Sequence, residues 1–264
     1  MKVGGGLNYV VGPMGAGKSL YAVRRIVAAV TRSQYAVTNV QLYPEAADLI
    51  ARHMAPTSRR KRKIVADKVR AYYIYETELA EAMRYRVPGR GEARAIFAWD
   101  EGHNDLNNRS WRSDGRAEIL EWATQLRKLG YVGFLLSQHA DNTDAALRRV
   151  CNFAIRLQNQ REQTRLLGMR VSPWPLFLAA WYPAHVPIAM QKNGSPVKVE
   201  RYFLDYHRKL YDTWGLYHGL VATDDADAVI QLPAGGLRAP EGLLPSTGAD
   251  VLELEPLLEE DIAA

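Results

Sequence analysis

Short apolar runs recur through the first 157 residues, and segments with helical periodicity separate them. Each run has five or six residues and is nearly free of charge. This pattern is typical of parallel strands that are buried on both faces of a sheet. The predicted strands span residues 7–11, 36–40, 95–99, 132–137 and 153–157.

The segments between these runs predict helices. Residues 17–30 and 116–129 carry apolar side chains at helical spacing. A third helix, with Asn142 or Thr143 as its cap, is expected to end near Val150. Strands that alternate with helices imply right-handed crossovers and a parallel sheet with helices on both faces. The sequence therefore predicts one α/β core.

The remaining segments depart from this alternation. Residues 55–68 interrupt it and are expected to form a surface loop. Beyond residue 157 the alternation fades, so we divide the chain into a core (1–157), an accessory extension of the core (158–220) and a tail (221–264). The tail is acidic, contains Pro and Gly, and is poor in aromatic residues, which predicts a flexible segment.

Charge is distributed unevenly along the chain. The net charge is +5, but the tail carries −9, so residues 1–220 carry +14. A basic body is compatible with a polyanionic partner such as nucleic acid or anionic lipid. The densest basic run, Arg59 to Lys63, either contacts a phosphate backbone or is simply solvated, and the sequence favours neither interpretation.

Composition excludes several classes of protein. A single cysteine, Cys151, rules out an intramolecular disulfide framework and a cysteine-based zinc cluster. The first residues lack the pattern of a signal peptide, so we expect the mature chain to begin at Met1. The longest uncharged stretch, 171–191, contains four prolines. Because proline breaks helices, two buried strands or a partner-facing hairpin are favoured there over a membrane span.

A glycine-rich motif follows the first predicted strand and opens the first predicted helix. It matches the phosphate-binding loop pattern G-x-x-x-x-G-K-[ST] in full. In such a loop, backbone N–H groups surround the phosphates at a helix N-terminus, the lysine reaches the β- and γ-phosphates, and the hydroxyl binds Mg²⁺. The predicted nucleotide-binding residues are Gly12, Pro13, Met14, Gly15, Ala16, Gly17, Lys18 and Ser19, with Ser19 also a magnesium ligand.

Two adjacent carboxylates end the third predicted strand. Asp100 is expected to hold Mg²⁺, and Glu101 to orient and deprotonate an attacking water. Adjacent acids of this kind favour the branch of P-loop proteins that uses a catalytic glutamate over kinases and small GTPases. ATP and Mg²⁺ are accordingly the predicted cofactors.

Polar residues that follow the other strand ends are further candidates. Gln138 ends the fourth predicted strand, where the carboxyl ends of parallel strands meet the ligand crevice, and could sense the γ-phosphate. His103 and His139 lie just beyond two of these ends without the spacing of metal ligands. Candidates for an arginine finger that completes a neighbouring subunit's site are Arg148, Arg149, Arg109 and Arg112.

These motifs together resemble the Zot-like proteins, the family of the zonula occludens toxin domain and the filamentous-phage assembly ATPases. The resemblance covers about residues 5–220 and rests on the phosphate loop, the segment from Thr38 to Leu42, the segment from Trp99 to Trp111 and the segment from Gln125 to Val150. A later segment, Lys209 to Gly215, also resembles the tyrosine-containing stretch that follows the core in this family.

The resemblance implies a RecA-like, additional-strand P-loop NTPase with a mainly parallel central sheet flanked by helices. It further implies a homo-oligomer, expected as a hexameric ring, that drives assembly and export of a phage particle or its DNA. Filamentous-phage members carry a transmembrane helix after this domain, and no segment here qualifies. The expected partners are viral DNA or a DNA–coat protein complex. Three explanations of the missing helix stay open: a soluble member of the family, a separate membrane partner, or a virus with a different packaging route. The expected location is the host cytoplasm, the inner membrane periphery or the virion.

The sequence leaves three functions open. The first is a Mg²⁺-dependent ATPase motor for virion assembly, export or DNA translocation. The second is an ATPase that packages double-stranded DNA into a preformed capsid, and the third is a nucleotide-gated scaffold with little turnover. A nucleotide kinase is disfavoured because no lid or acceptor-nucleotide motif is evident.

Overall fold

The fold is seen in a computed structural model that describes most of the first 211 residues. The described residues are 5–89, 91–101, 115–139, 145–160, 165–166, 169–170, 176–185, 194–203, 206–211 and 252–253.

The described strands and helices alternate along the first part of the chain and give way to strands in the second. The strands are β1 (Gly6–Val11), β2 (Tyr35–Thr38), β3 (Tyr73–Tyr75), β4 (Tyr85–Arg86), β5 (Ala95–Trp99), β6 (Tyr131–Ser137), β7 (Phe153–Asn159), β8 (Arg165–Leu166), β9 (Met169–Arg170), β10 (Leu176–Pro183), β11 (Lys198–Phe203) and β12 (Leu252–Glu253). The helices are α1 (Lys18–Val30), α2 (Ala46–Met54), α3 (Arg59–Tyr72), α4 (Leu79–Ala82), α5 (Gly115–Gln125) and α6 (Ala145–Val150), and a 3₁₀ turn spans Tyr206–Lys209.

Eight strands form one central sheet in the order β11-β10-β7-β1-β6-β5-β2-β3. The six strands from β7 to β3 pair in parallel, whereas β10 and β11 are antiparallel additions at one edge. Strand β6 lies between β1 and β5, which is the extra strand that defines the additional-strand arrangement. The predicted fold class, a RecA-like P-loop NTPase with a mainly parallel sheet flanked by helices, is confirmed.

The apolar runs form strands because both faces of the sheet are covered. All five residues of β5 and all seven of β6 are buried. Each of the five predicted strands is present, although β2 ends at Thr38 and β7 continues to Asn159. Helix α1 begins at Lys18, one residue after the predicted start, α5 ends earlier than residue 129, and α6 ends at Val150. The proposed caps Asn142 and Thr143 lie outside the described residues.

The predicted surface loop at residues 55–68 is wrong, because most of it belongs to helix α3. Ser58 caps this helix by accepting a hydrogen bond from the backbone N–H of Lys61 at 3.3 Å. Ala66, Val69 and Tyr72 are buried at helical spacing, so packing of this narrow apolar face stabilises the helix. The basic run that suggested a loop begins an amphipathic helix and lies mainly on its exposed side.

The antiparallel edge contains part of the uncharged segment 171–191. Its described portion forms β10, in which Phe177, Ala179 and Trp181 are buried. The predicted domain boundary at residue 157 falls inside β7, and the division into three parts stays a prediction. Of the tail, the structure describes β12, which pairs in parallel with β4. Within the described ranges, no helix is long and apolar enough to cross a membrane.

A buried tyrosine fixes the course of the chain just after β2. The Tyr73 hydroxyl donates a hydrogen bond to the Val40 carbonyl at 2.6 Å and accepts one from the Leu42 N–H at 3.1 Å. Tyr73 is fully buried, and burial raises the pKa of its hydroxyl far above the usual range. The hydroxyl therefore stays neutral and holds the segment that leads away from the sheet edge.

We expect Tyr73→Phe to destabilise the protein by about 1–3 kcal/mol, because it leaves a buried carbonyl and a buried N–H without a partner. Tyr75→Phe is the matched control, since Tyr75 lies in the same strand, is half-buried and makes no hydrogen bond through its hydroxyl among the described residues. Its cost should stay within about 0.5 kcal/mol. Urea unfolding of both variants measures the difference, and equal losses would contradict the assigned role of Tyr73.

Candidate functional site

The carboxyl ends of three adjacent parallel strands bring the candidate residues together at one end of the sheet. The phosphate loop follows β1, Asp100 follows β5, and Gln138 follows β6. Val11 pairs with Ser137, so β1 and β6 end at the same level, whereas Trp99 pairs with Leu135, so β5 ends two residues earlier. A crevice at this edge is the usual ligand site of open parallel sheets.

Glycine is required at several turns of the phosphate loop. Gly15 and Gly17 have φ angles of 76° and 84°, which L-residues with a side chain rarely adopt. A methyl group on Gly12 would lie 2.8 Å from the Ala16 Cβ and 3.0 Å from the Leu157 carbonyl oxygen. The loop thus folds tightly against β7 and leads directly into the first turn of α1.

The Lys18 side chain folds back onto the phosphate loop. Its ammonium group donates hydrogen bonds to the Gly12 carbonyl at 2.9 Å and to the Pro13 carbonyl at 3.2 Å. Burial lowers the pKa of Lys18, and the nearby carboxylates of Asp100 and Glu101 oppose that shift. A further anionic group beside the ammonium would favour its charged form in the same way.

Asp100 is buried beside Ser19. The Ser19 hydroxyl donates a hydrogen bond of 2.5 Å to Oδ2 of Asp100, and the Glu101 N–H donates one of 2.9 Å to Oδ1. Burial raises the pKa of Asp100, whereas these two hydrogen bonds and the charge of Lys18 act against the rise. The two side chains predicted to hold Mg²⁺ are therefore in direct contact.

Glu101 adopts a strained backbone conformation at the site. Its φ angle is 52°, which is uncommon for a residue with a side chain. Holding a residue in such a conformation costs about 1–3 kcal/mol. Its Oε1 lies 3.4 Å from Nε2 of Gln138. The structure therefore places the predicted base and the predicted sensor side by side.

Asn39 is a site residue that the sequence reasoning did not single out. Its Nδ2 donates to the Asp100 carbonyl at 2.8 Å, and its Oδ1 accepts from the Asp100 N–H at 2.7 Å. This paired contact holds the backbone N–H and carbonyl of Asp100. It therefore fixes the backbone that carries the Asp100 and Glu101 side chains. Asn39 directly follows β2 in the structure, but the predicted strand ran to residue 40 and placed Asn39 inside it, so the strand-end argument that identified Gln138 did not reach it.

The antiparallel edge also contributes to the site, which no local signal in the sequence revealed. Phe177 of β10 packs on Gly17, and its ring stacks on Tyr202 of β11 with centroids 5.4 Å apart. The Tyr202 hydroxyl lies 3.4 Å from the Gly17 carbonyl oxygen. Strands far along the chain therefore support the turn that presents Lys18.

Of the arginine candidates, the structure describes the two that belong to helix α6. Arg148 and Arg149 lie in the last turn of α6, where Arg149 is exposed and Arg148 is half-buried beside Cys151. Burial raises the pKa of the Cys151 thiol, so this cysteine packs as an uncharged group. His139 is exposed. Arg109, Arg112 and His103 lie outside the described residues.

We expect Gly17→Ala to be more costly than the positive φ angle alone requires. A methyl group there would lie 2.7 Å from the Phe177 ring, which adds about 1–3 kcal/mol of overpacking to about 1–2 kcal/mol of backbone strain. Gly89→Ala is the matched control, because Gly89 has a φ angle of 85° and its nearest neighbouring atom would be 3.6 Å away. Denaturant unfolding gives both losses, and similar values would show that Phe177 does not constrain the loop.

Comparison with known proteins gives both a family and a set of similar folds. The N-terminal domain of zonular occludens toxin from Neisseria meningitidis is 18% identical, with 79% of this chain and all of that chain covered at a TM-score of 0.45. The genome packaging NTPase B204 from Sulfolobus turreted icosahedral virus 2 is 11% identical, with 76% and 98% covered at a TM-score of 0.42. The RadB recombinase is 14% identical, with 78% and 90% covered at 0.44.

The family is shown by sequence comparison alone. No curated protein matches the chain. The model of the family described as Zonular occludens toxin (Zot) matches residues 7–171, which include the phosphate loop, Asn39, Asp100, Glu101 and Gln138. The resemblance expected from the motifs is confirmed, and the chain belongs to the Zot family of P-loop NTPases.

Proposed function

We propose that this protein is a Mg²⁺-dependent ATPase whose turnover drives virion assembly, export or DNA translocation. The observation that carries the proposal is the direct contact between the two halves of the site, the Ser19 hydroxyl on the Asp100 carboxylate, with Lys18 and Glu101 within charge-interaction range. Ser19 and Asp100 come from separate strand ends and lie far apart in the chain. Their convergence supports a shared magnesium and phosphate role rather than an ordinary glycine turn.

The residues present suit both predicted cofactors. The loop offers backbone N–H groups and an ammonium group, which are the donors that a triphosphate requires. Ser19 and Asp100 offer hydroxyl and carboxylate oxygens, which Mg²⁺ prefers. Bound Mg²⁺ would neutralise phosphate charge, and a nearby cation would also offset the burial that raises the pKa of Asp100.

Each residue then has a distinct chemical task. Lys18 would exchange its bonds to the Gly12 and Pro13 carbonyls for bonds to the β- and γ-phosphates. Glu101 would accept the proton of the attacking water, and its positive φ angle shows that the backbone leaves the extended conformation of β5 at this residue. Gln138, 3.4 Å from Glu101, would help to orient the same water.

The coupling to a polymer rests on family membership and on charge. Members of the Zot family include phage assembly ATPases, and a body with a charge of +14 over residues 1–220 suits a polyanionic cargo. We propose a homo-oligomer, formed as a ring, in which Arg148 or Arg149 completes a neighbour's site, with viral DNA or a DNA–coat protein complex as cargo. The exposure of Arg149 is compatible with that role. Turnover stimulated by naked duplex DNA would instead favour packaging into a capsid.

Substitution of Lys18 and of Glu101 should separate binding from hydrolysis. Lys18→Ala should weaken ATP binding by at least about 100-fold, because a charged donor to the phosphates is lost. Glu101→Gln should bind ATP normally but lower turnover by about 10²–10⁴-fold, because the amide cannot act as a base. Lys128→Ala and Glu118→Gln, at exposed positions, are the controls. Normal turnover in Glu101→Gln would remove Glu101 from the catalytic role, and negligible turnover of the unaltered protein would favour the scaffold.

Asn39→Ala should lower turnover by about 10–100-fold and raise the Mg²⁺ concentration needed for half-maximal rate, with little change in nucleotide affinity. The reason is that Asn39 positions Asp100 and Glu101 but is not itself part of the phosphate loop. Gln34→Ala is a matched control, because Gln34 makes a similar amide contact, to the Ala93 carbonyl, before β2 rather than after it. An unchanged Mg²⁺ dependence would show that Asn39 has only a structural role.

A further inference from the structure

Helix α3 presents a dense basic surface formed by Arg59, Arg60, Lys61 and Lys63, which we call the α3 basic surface. All four residues are exposed. They follow the Ser58 cap directly and occupy the first turn and a half of the helix. The helix as a whole holds seven cationic side chains and one acidic one in 14 residues.

These four side chains have no structural task within the described part of the chain. None of them lies within ion-pairing distance of a described carboxylate, and none donates a described side-chain hydrogen bond. Other cations of the same helix do have such tasks. Arg62 donates to the Ala55 and Pro56 carbonyls at the α2–α3 connection.

The position of these cations is unfavourable for the helix itself. A helix N-terminus carries partial positive charge, so acidic residues are favoured in its first turn, yet α3 has none there. Arg59 and Lys63 also form a like-charge pair at i,i+4, which destabilises a helix. Because stability does not explain this arrangement, an external anion that neutralises it is the simplest physical reason for it.

We propose that the α3 basic surface binds the sugar–phosphate backbone of a nucleic acid. Successive phosphates of one polymer can neutralise several cations at once and release their counterions. An anionic membrane fits less well, because every exposed residue of α3 is charged, whereas helices that lie on a bilayer insert apolar side chains. This inference deepens the proposed function by assigning the cargo-binding surface, and it is tested without nucleotide.

The test compares two full-length variants that each lose four positive charges. The first is Arg59→Gln/Arg60→Gln/Lys61→Gln/Lys63→Gln, in which glutamine keeps a helix propensity close to that of Lys and Arg. The second, charge-matched control is Lys128→Gln/Arg201→Gln/Arg208→Gln/Lys209→Gln, whose four positions are exposed elsewhere. Fluorescence anisotropy with labelled 30-nucleotide single strands and 30-base-pair duplexes is measured between about 50 and 200 mM NaCl.

The α3 variant should lose at least about 100-fold in affinity at 100 mM salt. Its slope of log K against log salt should become shallower by about 3–4 on duplex DNA and by about 3 on single strands, whichever form binds more tightly. Its Tm should rise by about 2–4 °C because unfavourable charge is removed from the helix N-terminus. The control should keep its DNA affinity within about threefold. A purely structural surface would give a lower Tm and unchanged binding.

Three results would overturn the inference: absence of DNA binding by the unaltered protein, equal losses in both variants, or a selective loss of binding to phosphatidylserine vesicles with DNA binding intact. Basal ATP turnover without DNA should be unchanged in the α3 variant, since α3 supplies no residue of the site. A protein that binds DNA through α3 but hydrolyses no ATP would refute the proposed function and leave this surface standing.

Discussion

The site depends on keeping one carboxylate, that of Asp100, buried at the end of a central strand. Removal of a carboxylate from water is costly unless hydrogen bonds and opposite charge compensate for it. Here the Ser19 hydroxyl and the Glu101 N–H bind its two oxygens, and Lys18 supplies the nearby positive charge. The buried Asp100 carboxylate thus links the phosphate loop to the end of β5.

The rest of the fold holds the parts of this arrangement in place. Asn39 fixes the backbone of Asp100 from the end of β2, and Tyr73 fixes the segment that follows Asn39. On the other side, β10 and β11 pack against the turn before Lys18 through Phe177 and Tyr202. The antiparallel strands β10 and β11 therefore support the phosphate loop, as the parallel strands of the core also do.

The sequence predicted the features that depend on local pattern. The buried strands are apolar throughout, and the phosphate loop needs glycine where φ is positive, so both could be recognised without coordinates. The Asp100–Glu101 pair followed because it ends such a strand. Asn39 was missed because the predicted strand ran to residue 40, two residues beyond the end of β2, and so placed Asn39 inside the strand.

Other features could not be predicted from local pattern. The contact of Phe177 and Tyr202 with Gly17 depends on how distant strands pair, which no short segment specifies. Helix α3 was predicted as a loop because its sequence begins with five consecutive cations. Its apolar face, formed by Ala66, Val69 and Tyr72, is narrow and gives only a weak helical pattern. There, tertiary packing outweighs a charge pattern that opposes the helix.

The close approach of Phe177 to Gly17 has an evolutionary consequence. A larger residue at position 17 has no room while an aromatic ring occupies position 177, and a smaller residue at 177 leaves the loop without its support. Neither position can drift alone without loss of stability. Because glycine is also required at position 17 by its φ angle of 84°, Gly17 should stay fixed among homologues, while position 177 should vary only among residues that can still cover it.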